Sequence, residues 1–219
     1  MTDVRANRAF LARVVRYLAG ECGVRQFLDI GTGLPVAGNT HQVAQEVAPD
    51  ARIVYADNDP IVLLHARALL SSTPQGTCDY VEADLRDTAA IVRAATRTLD
   101  FGAPVALLLL IILHLIPDDD DPCGIVAELM DVLPSGSYLV LAHPASDIRA
   151  AQMAEMTRRV NARMSGPAAT MRDRAAITRF FDGLDLVEPG VVQPQQWRPE
   201  PGMLSPPQVT AWCGVARKR

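Results

Sequence analysis

Apolar residues follow two spacings along the chain, and the two alternate from segment to segment. Short apolar runs predict β-strands, because successive side chains of a strand point to opposite faces of a sheet and a buried strand is apolar on both. Such runs are QFLDI (26–30), ARIVYAD (51–57), CDYVEAD (78–84), the run that starts at Val105, SYLVLAH (137–143), and segments near 187–193 and 210–216. The sequence therefore predicts seven strands.

Between these runs the apolar residues recur every three or four positions, which is the spacing of amphipathic helices. Asp59-Pro60 is a favourable helix start, because aspartate caps the first turn and proline lacks the N–H that the first position leaves unpaired. The predicted helices cover residues 5–20, 41–48, 61–70, 88–99, 123–132, 147–165 and 172–181. In the first of them one face carries Phe10, Leu11, Val14, Val15 and Leu18.

Strands and helices alternate as far as the fifth strand, an order typical of a parallel sheet with helices on both faces. Only a proline-rich loop separates the last two strands, so we expect them to form an antiparallel hairpin. The prediction is an α/β fold, doubly wound, with a mostly parallel seven-stranded sheet and a C-terminal antiparallel hairpin. The 219 residues suffice for one domain with a buried core, predicted to span residues 1–219.

Charge and hydropathy exclude two classes of partner. The net charge is −4 and no basic run is interleaved with aromatic residues, so we expect no nucleic-acid partner. The apolar run from Val105 to Ile116 is shorter than the roughly 20 residues that span a bilayer, so we expect no membrane association. The four cysteines are scattered without a CxxC pair, and the N-terminus lacks a signal-peptide pattern. These features favour a reducing, cytoplasmic location.

The loops after the first three strands carry candidate binding residues, since parallel sheets bind ligands at the carboxyl ends of their strands. Asp29, Gly31, Thr32 and Gly33 follow the first strand. Asp57 with Asn58 follows the second, where a carboxylate can accept from both ribose hydroxyls. Asp84 with Leu85 follows the third, where a carboxylate can accept from an adenine amino group.

The glycine spacing indicates which adenosine ligand fits. A dinucleotide fingerprint needs GxGxxG, because the pyrophosphate lies on the helix N-terminus. Here Gly33 is followed by Leu34 and Pro35, and the next glycine is Gly38. This spacing disfavours a nicotinamide-dependent oxidoreductase. It favours a ligand with ribose and adenine but no phosphate, such as S-adenosylmethionine.

The motifs FLDIGTGLP, YADNDP, YVEADLRD, LHLIPDDDDP and GSYLVLAH resemble those of class I S-adenosylmethionine-dependent methyltransferases, which are Rossmann-like. More narrowly, the GTGLPVAGNTH stretch resembles a bacterial methyltransferase family whose members mostly lack assigned substrates. The resemblance implies that Asp29 orients the methionine amino group, directly or through water, and that the backbone of Gly31, Thr32 and Gly33 passes under the ligand. It implies that Asp57 holds the ribose, with Asn58 beside the adenine. The remaining implied contacts are the adenine edge for Asp84 and Leu85, and backbone carbonyls from Leu109 and Leu110.

The resemblance also raises an expectation about the N-terminus. Members of the family usually carry a longer segment before the position of RANRAF. If that segment roofs the cofactor, we expect a more open site or a lower affinity here; a misassigned start or trimming of the sequence is the alternative. The helix of residues 1–20 is expected to be part of the lid.

No catalytic residue is evident. Methyl transfer needs a general base only when the acceptor is protonated. His114, after the fourth strand, is the best-placed candidate, although a packing role is the more common one for such a histidine. His143 is similarly placed, His41 is expected to shape the loop, and His65 is expected to be structural.

The same region carries a run of acidic residues, and the late loop carries an aromatic pair. Asp118 to Asp121 are expected to be a solvated loop in which Asp121 caps the next helix, so no metal site is predicted. Trp197-Arg198 could line an acceptor pocket or pack the hairpin onto the sheet. The predicted function is a methyltransferase acting on a small-molecule acceptor; a non-catalytic binder of the same fold is the alternative. Specificity is expected from the first helix, residues 145–175 and 193–207, and both a monomer and a homodimer stay open.

Overall fold

Seven strands form one mixed sheet in the computed structural model, which describes residues 2–34, 38–62, 64, 72–163, 168–199 and 208–219. The strands are β1 Gln26–Ile30, β2 Arg52–Asp57, β3 Thr77–Glu82, β4 Ala106–Leu110, β5 Tyr138–Pro144, β6 Asp185–Leu186 and β7 Ala211–Arg217. Their order is β3-β2-β1-β4-β5-β7-β6. The first five strands pair in parallel, and β7 pairs antiparallel with both β5 and β6. The predicted fold class is confirmed.

Helices cover both faces of the sheet. They are α1 Thr2–Gly20, α2 Thr40–Val47, α3 Thr88–Ala95, α4 Pro122–Asp131, α5 Ala150–Asn161 and α6 Arg174–Thr178, with single 3-10 turns at Leu113–Leu115, Asp118–Asp120, Arg179–Phe181 and Pro194–Gln196. In the described part of the chain, no helix is long and apolar enough to cross a membrane. A helix also begins at Pro60, where Asp59 accepts from the Ile61 N–H as predicted, but most of residues 61–70, including His65, lie outside the described residues.

The two faces of the sheet bury separate cores. Phe27 faces α1 and α2, whereas Leu28 and Ile30 face the core that includes α3 and α4. Since side chains alternate along a strand, Asp29 lies on the same face as Phe27, below α1. The strand order reverses between β1 and β4, and the carboxyl ends of these two neighbours form the switch point at which such sheets bind ligands.

The predicted strand near 187–193 is wrong in extent. The β6–β7 ladder ends at Leu186, and Val192 makes only an isolated bridge to Cys213. Pro189 has no N–H to donate, and Gly190 has a φ of 80°, so the chain turns away from β7 between them. The final strand near 210–216 is confirmed.

The predicted helix over 147–165 begins later than expected. Arg149 has a φ of 50°, in the left-handed region, and α5 starts only at Ala150. The predicted helix over 172–181 is an α-helix to Thr178 that continues as a 3-10 turn to Phe181.

Candidate active site

The loop after β1 turns sharply at Gly31. Its φ is 75°, and a Cβ built on it would lie 2.5 Å from Cγ1 of Ile112. Only glycine fits that backbone and that space. Gly33 also has a positive φ, of 62°, but open space surrounds the place where its Cβ would be. The chain therefore turns tightly at Gly31 and presents bare backbone to solvent at Gly33.

Gly31 and Gly33 both line a cavity of about 240 Å³ at the switch point. Its floor is the Gly31–Gly33 loop with Asp29, and β4 contributes Leu110. The first half of α1 covers it from above, and the start of α2 closes one side. Its volume lies just below the usual range for ligand sites, about 300–1,000 Å³.

Asp29 is the buried charge of this cavity, with 6% of its surface exposed. Its Oδ2 accepts a hydrogen bond from the Thr40 hydroxyl at 2.6 Å. Burial raises the pKa of Asp29 to about 6, because removal of water disfavours the charged form. The Thr40 hydrogen bond and the nearby Arg8 charge lower that pKa, and Asp57 raises it. A buried carboxylate with one hydrogen bond is a strong acceptor for a cationic ligand group.

Two tyrosines form the wall beneath α2. The rings of Tyr55 and Tyr80 stack with centroids 5.1 Å apart and planes 14° apart. The Tyr55 hydroxyl accepts from the His41 backbone N–H at 2.8 Å and lies 2.9 Å from its Nδ1. His41 is 2% exposed, so it has the structural role that the sequence predicts for it. Burial raises the pKa of both tyrosines, so each is a neutral hydroxyl at physiological pH.

The loops after β2 and β3 meet next to the glycine loop. Asp57 Oδ2 accepts from the Gly33 N–H at 3.0 Å and its Oδ1 accepts from the Asp59 N–H at 3.0 Å. Asn58 donates to Asp84 at 3.2 Å. These contacts place the predicted ribose and adenine residues of both loops in one continuous cluster with Gly33.

Hydrogen bonds and the neighbouring arginine control the charge on Asp84. Burial alone would raise its pKa, but the Arg86 backbone N–H, Asn58 and the Arg86 guanidinium together lower it. The same guanidinium donates to Asp120 at 2.7 Å, so Asp84 and the acidic loop share one cation. Asp84 is therefore an ionised acceptor at neutral pH.

The predicted cofactor residues fall into three groups. Asp29, Gly31, Thr32, Gly33 and Leu110 line the cavity. Asp57, Asn58 and Asp84 are joined to it through the contacts with Gly33 and with each other. Leu85 and Leu109 have their side chains in the core on the opposite face, so only their backbone groups could serve a ligand.

Sequence reasoning missed several of the residues that line the cavity. Among them are Asn7 and Arg8 on α1, Tyr80 on β3 and Ile111 after β4. Ile111 has a φ of 58°, which is strained for a β-branched residue. Among the described residues, the Asn7 Oδ1 and the Tyr80 hydroxyl are buried without a hydrogen-bond partner. A signal for the first pair existed, since Asn7 and Arg8 interrupt the apolar face of α1.

His114 and His143 belong to a separate cluster around Arg172. Arg172 is 6% exposed and donates to the Leu113 and Ile116 carbonyls at 2.9 and 2.8 Å. It also donates to Asp118 at 2.7 Å and to the His143 Nε2 at 2.9 Å. The pKa of His143 falls to about 3, mainly through burial.

His114 does not line the cavity; its ring packs edge-on against His143 at 6.3 Å, and burial lowers its pKa. This environment favours the packing role over the base. In the acidic loop, Asp121 caps α4 through the Gly124 N–H at 3.0 Å, as predicted. Within the described ranges no three His, Cys, Asp or Glu side chains are grouped so that they could hold a metal ion.

Trp197 is fully buried against α1. Its ring lies edge-on to Phe10 at 5.6 Å and to Tyr17 at 5.7 Å, and Arg198 covers the Tyr17 ring at 3.9 Å. The pair therefore fixes the late loop to the first helix and does not line the cavity. Residues 200–207 of the loop, like Pro35 of the glycine motif, lie outside the described residues.

Comparison with known proteins gives the chemistry that this geometry serves. Residues 1–219 match the family described as S-adenosyl methyltransferase. A DUF574 family protein from Streptomyces avermitilis is 45% identical, with a TM-score of 0.92 over 98% of this chain and 83% of its own. A candidate methyltransferase from Thermobifida fusca is 39% identical, with a TM-score of 0.87 over 99% of this chain and 82% of its own.

A more distant structure shares the fold. The N-methyltransferase NodS from Bradyrhizobium japonicum, solved with S-adenosyl-L-homocysteine, is 16% identical, with a TM-score of 0.56 over 98% of this chain and 86% of its own. No curated protein matches. The family match spans the whole sequence, and the two nearer structures superpose over almost all of it. The chain therefore belongs to the S-adenosyl methyltransferase family, and S-adenosylmethionine is its cofactor.

Proposed function

We propose that the chain transfers the methyl group of S-adenosylmethionine to a small-molecule acceptor bound at the switch-point cavity. The observation that carries this proposal is the continuity of the cavity floor, Asp29 and Gly31 to Gly33, with Asp57 through the Gly33 N–H. That floor matches the order of groups in the cofactor, with an amino acid at one end and an adenosine at the other.

The residues present fit such a ligand. The Asn7 oxygen and the Tyr80 hydroxyl are buried at the cavity without protein partners among the described residues, which is a cost that a polar ligand can remove. Asp29 is an acceptor for an ammonium group, and its burial strengthens that interaction. The cavity wall between them is largely apolar, with Val4, Leu11 and Leu110.

In this proposal Asp29 orients the methionine amino group while Gly31, Thr32 and Gly33 pass beneath the cofactor. Asp57 holds the ribose, and Asn58, Asp84 and the Leu85 backbone contact the adenine. Leu109 and Leu110 offer carbonyls to the amino group.

The cofactor supplies a methyl group on a sulfonium, and the protein's part is to align the acceptor with it and to exclude water. The tyrosine hydroxyls on the wall stay neutral, and His114 lies in another cluster. With Asp29 assigned to the amino group, the other described lining residues offer little to deprotonate an acceptor. This favours an acceptor whose lone pair is free at neutral pH, which needs no base.

Isothermal calorimetry with S-adenosylmethionine and S-adenosylhomocysteine tests the proposal. We expect both to bind, and we expect Asp57→Ala to weaken binding of both at least tenfold because the ribose loses its acceptor. Asp50→Ala, an exposed carboxylate away from the cavity, is the matched control and should bind as the wild type does. Folded wild-type protein that binds neither compound would overturn the proposal.

A further inference from the structure

The cavity-facing side of α1 carries a polar interruption in an apolar stripe. Positions 4, 7, 8 and 11 share one helix face, because residues three and four apart are neighbours on a helix. Val4 is exposed, Leu11 is buried, and the stripe continues into the fully buried Val14. The half-buried Asn7 and Arg8 lie between them, where the helix passes over the cavity.

A buried polar atom is costly unless something pairs with it. The Asn7 oxygen has no hydrogen-bond partner in the described structure. Its amide can therefore turn toward a ligand without breaking a hydrogen bond of that oxygen. The position is easier to explain by an occupant of the cavity than by packing of α1.

Arg8 brings a positive charge to the same wall. Its guanidinium lies 3.3 and 3.4 Å from the Asn39 oxygen, at the start of α2. Both distances are longer than the usual range of about 2.7–3.2 Å for an N–H···O hydrogen bond. A carboxylate is the stronger acceptor for a guanidinium, because it can form two parallel charge-assisted hydrogen bonds with it, which a neutral amide oxygen cannot. Arg8 also lowers the pKa of Asp29, so the two charges lie close together.

We propose that Asn7 and Arg8 bind the amino acid end of S-adenosylmethionine, Arg8 the carboxylate and Asn7, with Asp29, the ammonium. A zwitterion placed between Arg8 and Asp29 alternates the four charges, so each ionic group meets one of opposite sign. The helix α1 is then part of the cofactor site and not only of its lid. The inference rests on the proposed function, since it assigns residues to one end of the same ligand.

Two ligands separate this inference from the function on which it rests. S-adenosylhomocysteine has the amino acid end, whereas 5′-methylthioadenosine has the same adenosine and sulfur but neither the amino group nor the carboxylate. Calorimetry measures the affinity of both for the wild type, for Arg8→Met, which keeps the length of the side chain, and for Asn7→Leu, which keeps its shape. Arg5→Met is the matched control, because Arg5 is exposed on the same helix and does not line the cavity.

We expect Arg8→Met and Asn7→Leu each to lower the affinity for S-adenosylhomocysteine about tenfold or more and to change the affinity for 5′-methylthioadenosine less than twofold. Arg8→Lys keeps the charge but not the planar guanidinium, so its affinity for S-adenosylhomocysteine should lie between those of Arg8→Met and the wild type. Arg5→Met should change neither affinity.

Three outcomes would overturn the inference. Unchanged affinity for S-adenosylhomocysteine in Arg8→Met and Asn7→Leu is the first, and an equal loss for both ligands is the second. A wild type that binds only 5′-methylthioadenosine is the third, and it leaves the adenosine half of the site intact. A folded wild type that binds neither ligand overturns the proposed function and this inference together. Thermal melts of each variant show whether it is folded, and either variant alone suffices for the test.

Discussion

Replacing Asp29 by asparagine is expected to stabilise the ligand-free protein above pH 6 and to weaken its binding of the cofactor. Asparagine has nearly the shape of aspartate and can still accept the hydrogen bond from the Thr40 hydroxyl. It removes a charge that burial makes unfavourable. It also removes the carboxylate that we assign to the ammonium of the ligand, so stability and binding should change in opposite directions.

The magnitude follows from the pKa of Asp29, which rises from 3.8 to about 6 on folding. Each pH unit between the two values corresponds to about 1.4 kcal/mol, so the ionised side chain destabilises the fold by about 3 kcal/mol. The destabilisation is fully present above the folded pKa. It disappears below the unfolded pKa, because there both states hold the proton. Asp29→Asn should therefore match the wild type near pH 4 and exceed it by about 3 kcal/mol at pH 7.5.

The assay is urea unfolding at several pH values between 4 and 8, and the quantity compared is the difference in free energy of unfolding between variant and wild type. Taking the difference cancels the titration of all groups that the two proteins share. Asp50→Asn is the control, because Asp50 is an exposed carboxylate with 65% of its side chain accessible, and its difference should stay near zero. Calorimetry on the same samples should show that Asp29→Asn binds S-adenosylhomocysteine at least tenfold more weakly than the wild type, whereas Asp50→Asn binds it as the wild type does. A difference that does not depend on pH, or a variant less stable than the wild type at pH 7.5, would refute the argument.

Three further predictions concern the surroundings of the site. Arg172→Met should lower the free energy of unfolding in urea by about 3–5 kcal/mol, because the buried Ile116 carbonyl and the His143 Nε2 lose their donor. Arg16→Met is the control: Arg16 is exposed, and its loss should cost less than about 1 kcal/mol. Gly31→Ala should cost at least about 1–2 kcal/mol from its left-handed backbone alone and should abolish S-adenosylhomocysteine binding in calorimetry, since the new methyl group meets Ile112. His143→Gln should make the stability less sensitive to acid, because the pKa of His143 is about 3 in the folded state and 6.5 in the unfolded state. As the pH falls from 7 to 5, the free energy of unfolding of the wild type should decrease by about 2 kcal/mol relative to that of the variant.

Much of the sheet could be predicted from the sequence because its central strands are short buried runs. QFLDI is buried along its whole length, and β4 is buried from Ala106 to Leu109 within the apolar run that starts at Val105. The strand near 187–193 was the exception. Its apolar spacing suggested a strand, but Pro189-Gly190 lies in its middle, and that pair determined the path of the chain.

The residues of the candidate site are of two kinds: some follow a strand directly and could be predicted from the sequence, and others reach the cavity only through the three-dimensional fold. Asp29, Gly31 and Asp57 follow strands directly, and parallel strands bring their carboxyl ends to one edge, so their proximity follows from order alone. Asn7 and Tyr80 meet the cavity only because α1 crosses above the sheet and β3 lies at its far side. No spacing along the chain encodes that crossing. The polar interruption in α1 marked the place, but its partner across the cavity could be seen only in three dimensions.

Several features that destabilise the ligand-free fold lie on the wall of this cavity. Asp29 is a buried carboxylate, Ile111 is a β-branched residue in the left-handed region, and Asn7 and Tyr80 have buried polar atoms without partners among the described residues. Each departs from what packing alone would favour, and a folded chain keeps such departures where another gain offsets them. A ligand with an ammonium, a carboxylate and further polar groups can pair with three of the four. We therefore expect S-adenosylhomocysteine to raise the unfolding temperature of the wild type, and to raise that of Asp29→Asn less, because the variant has already lost the charge that the ligand would neutralise.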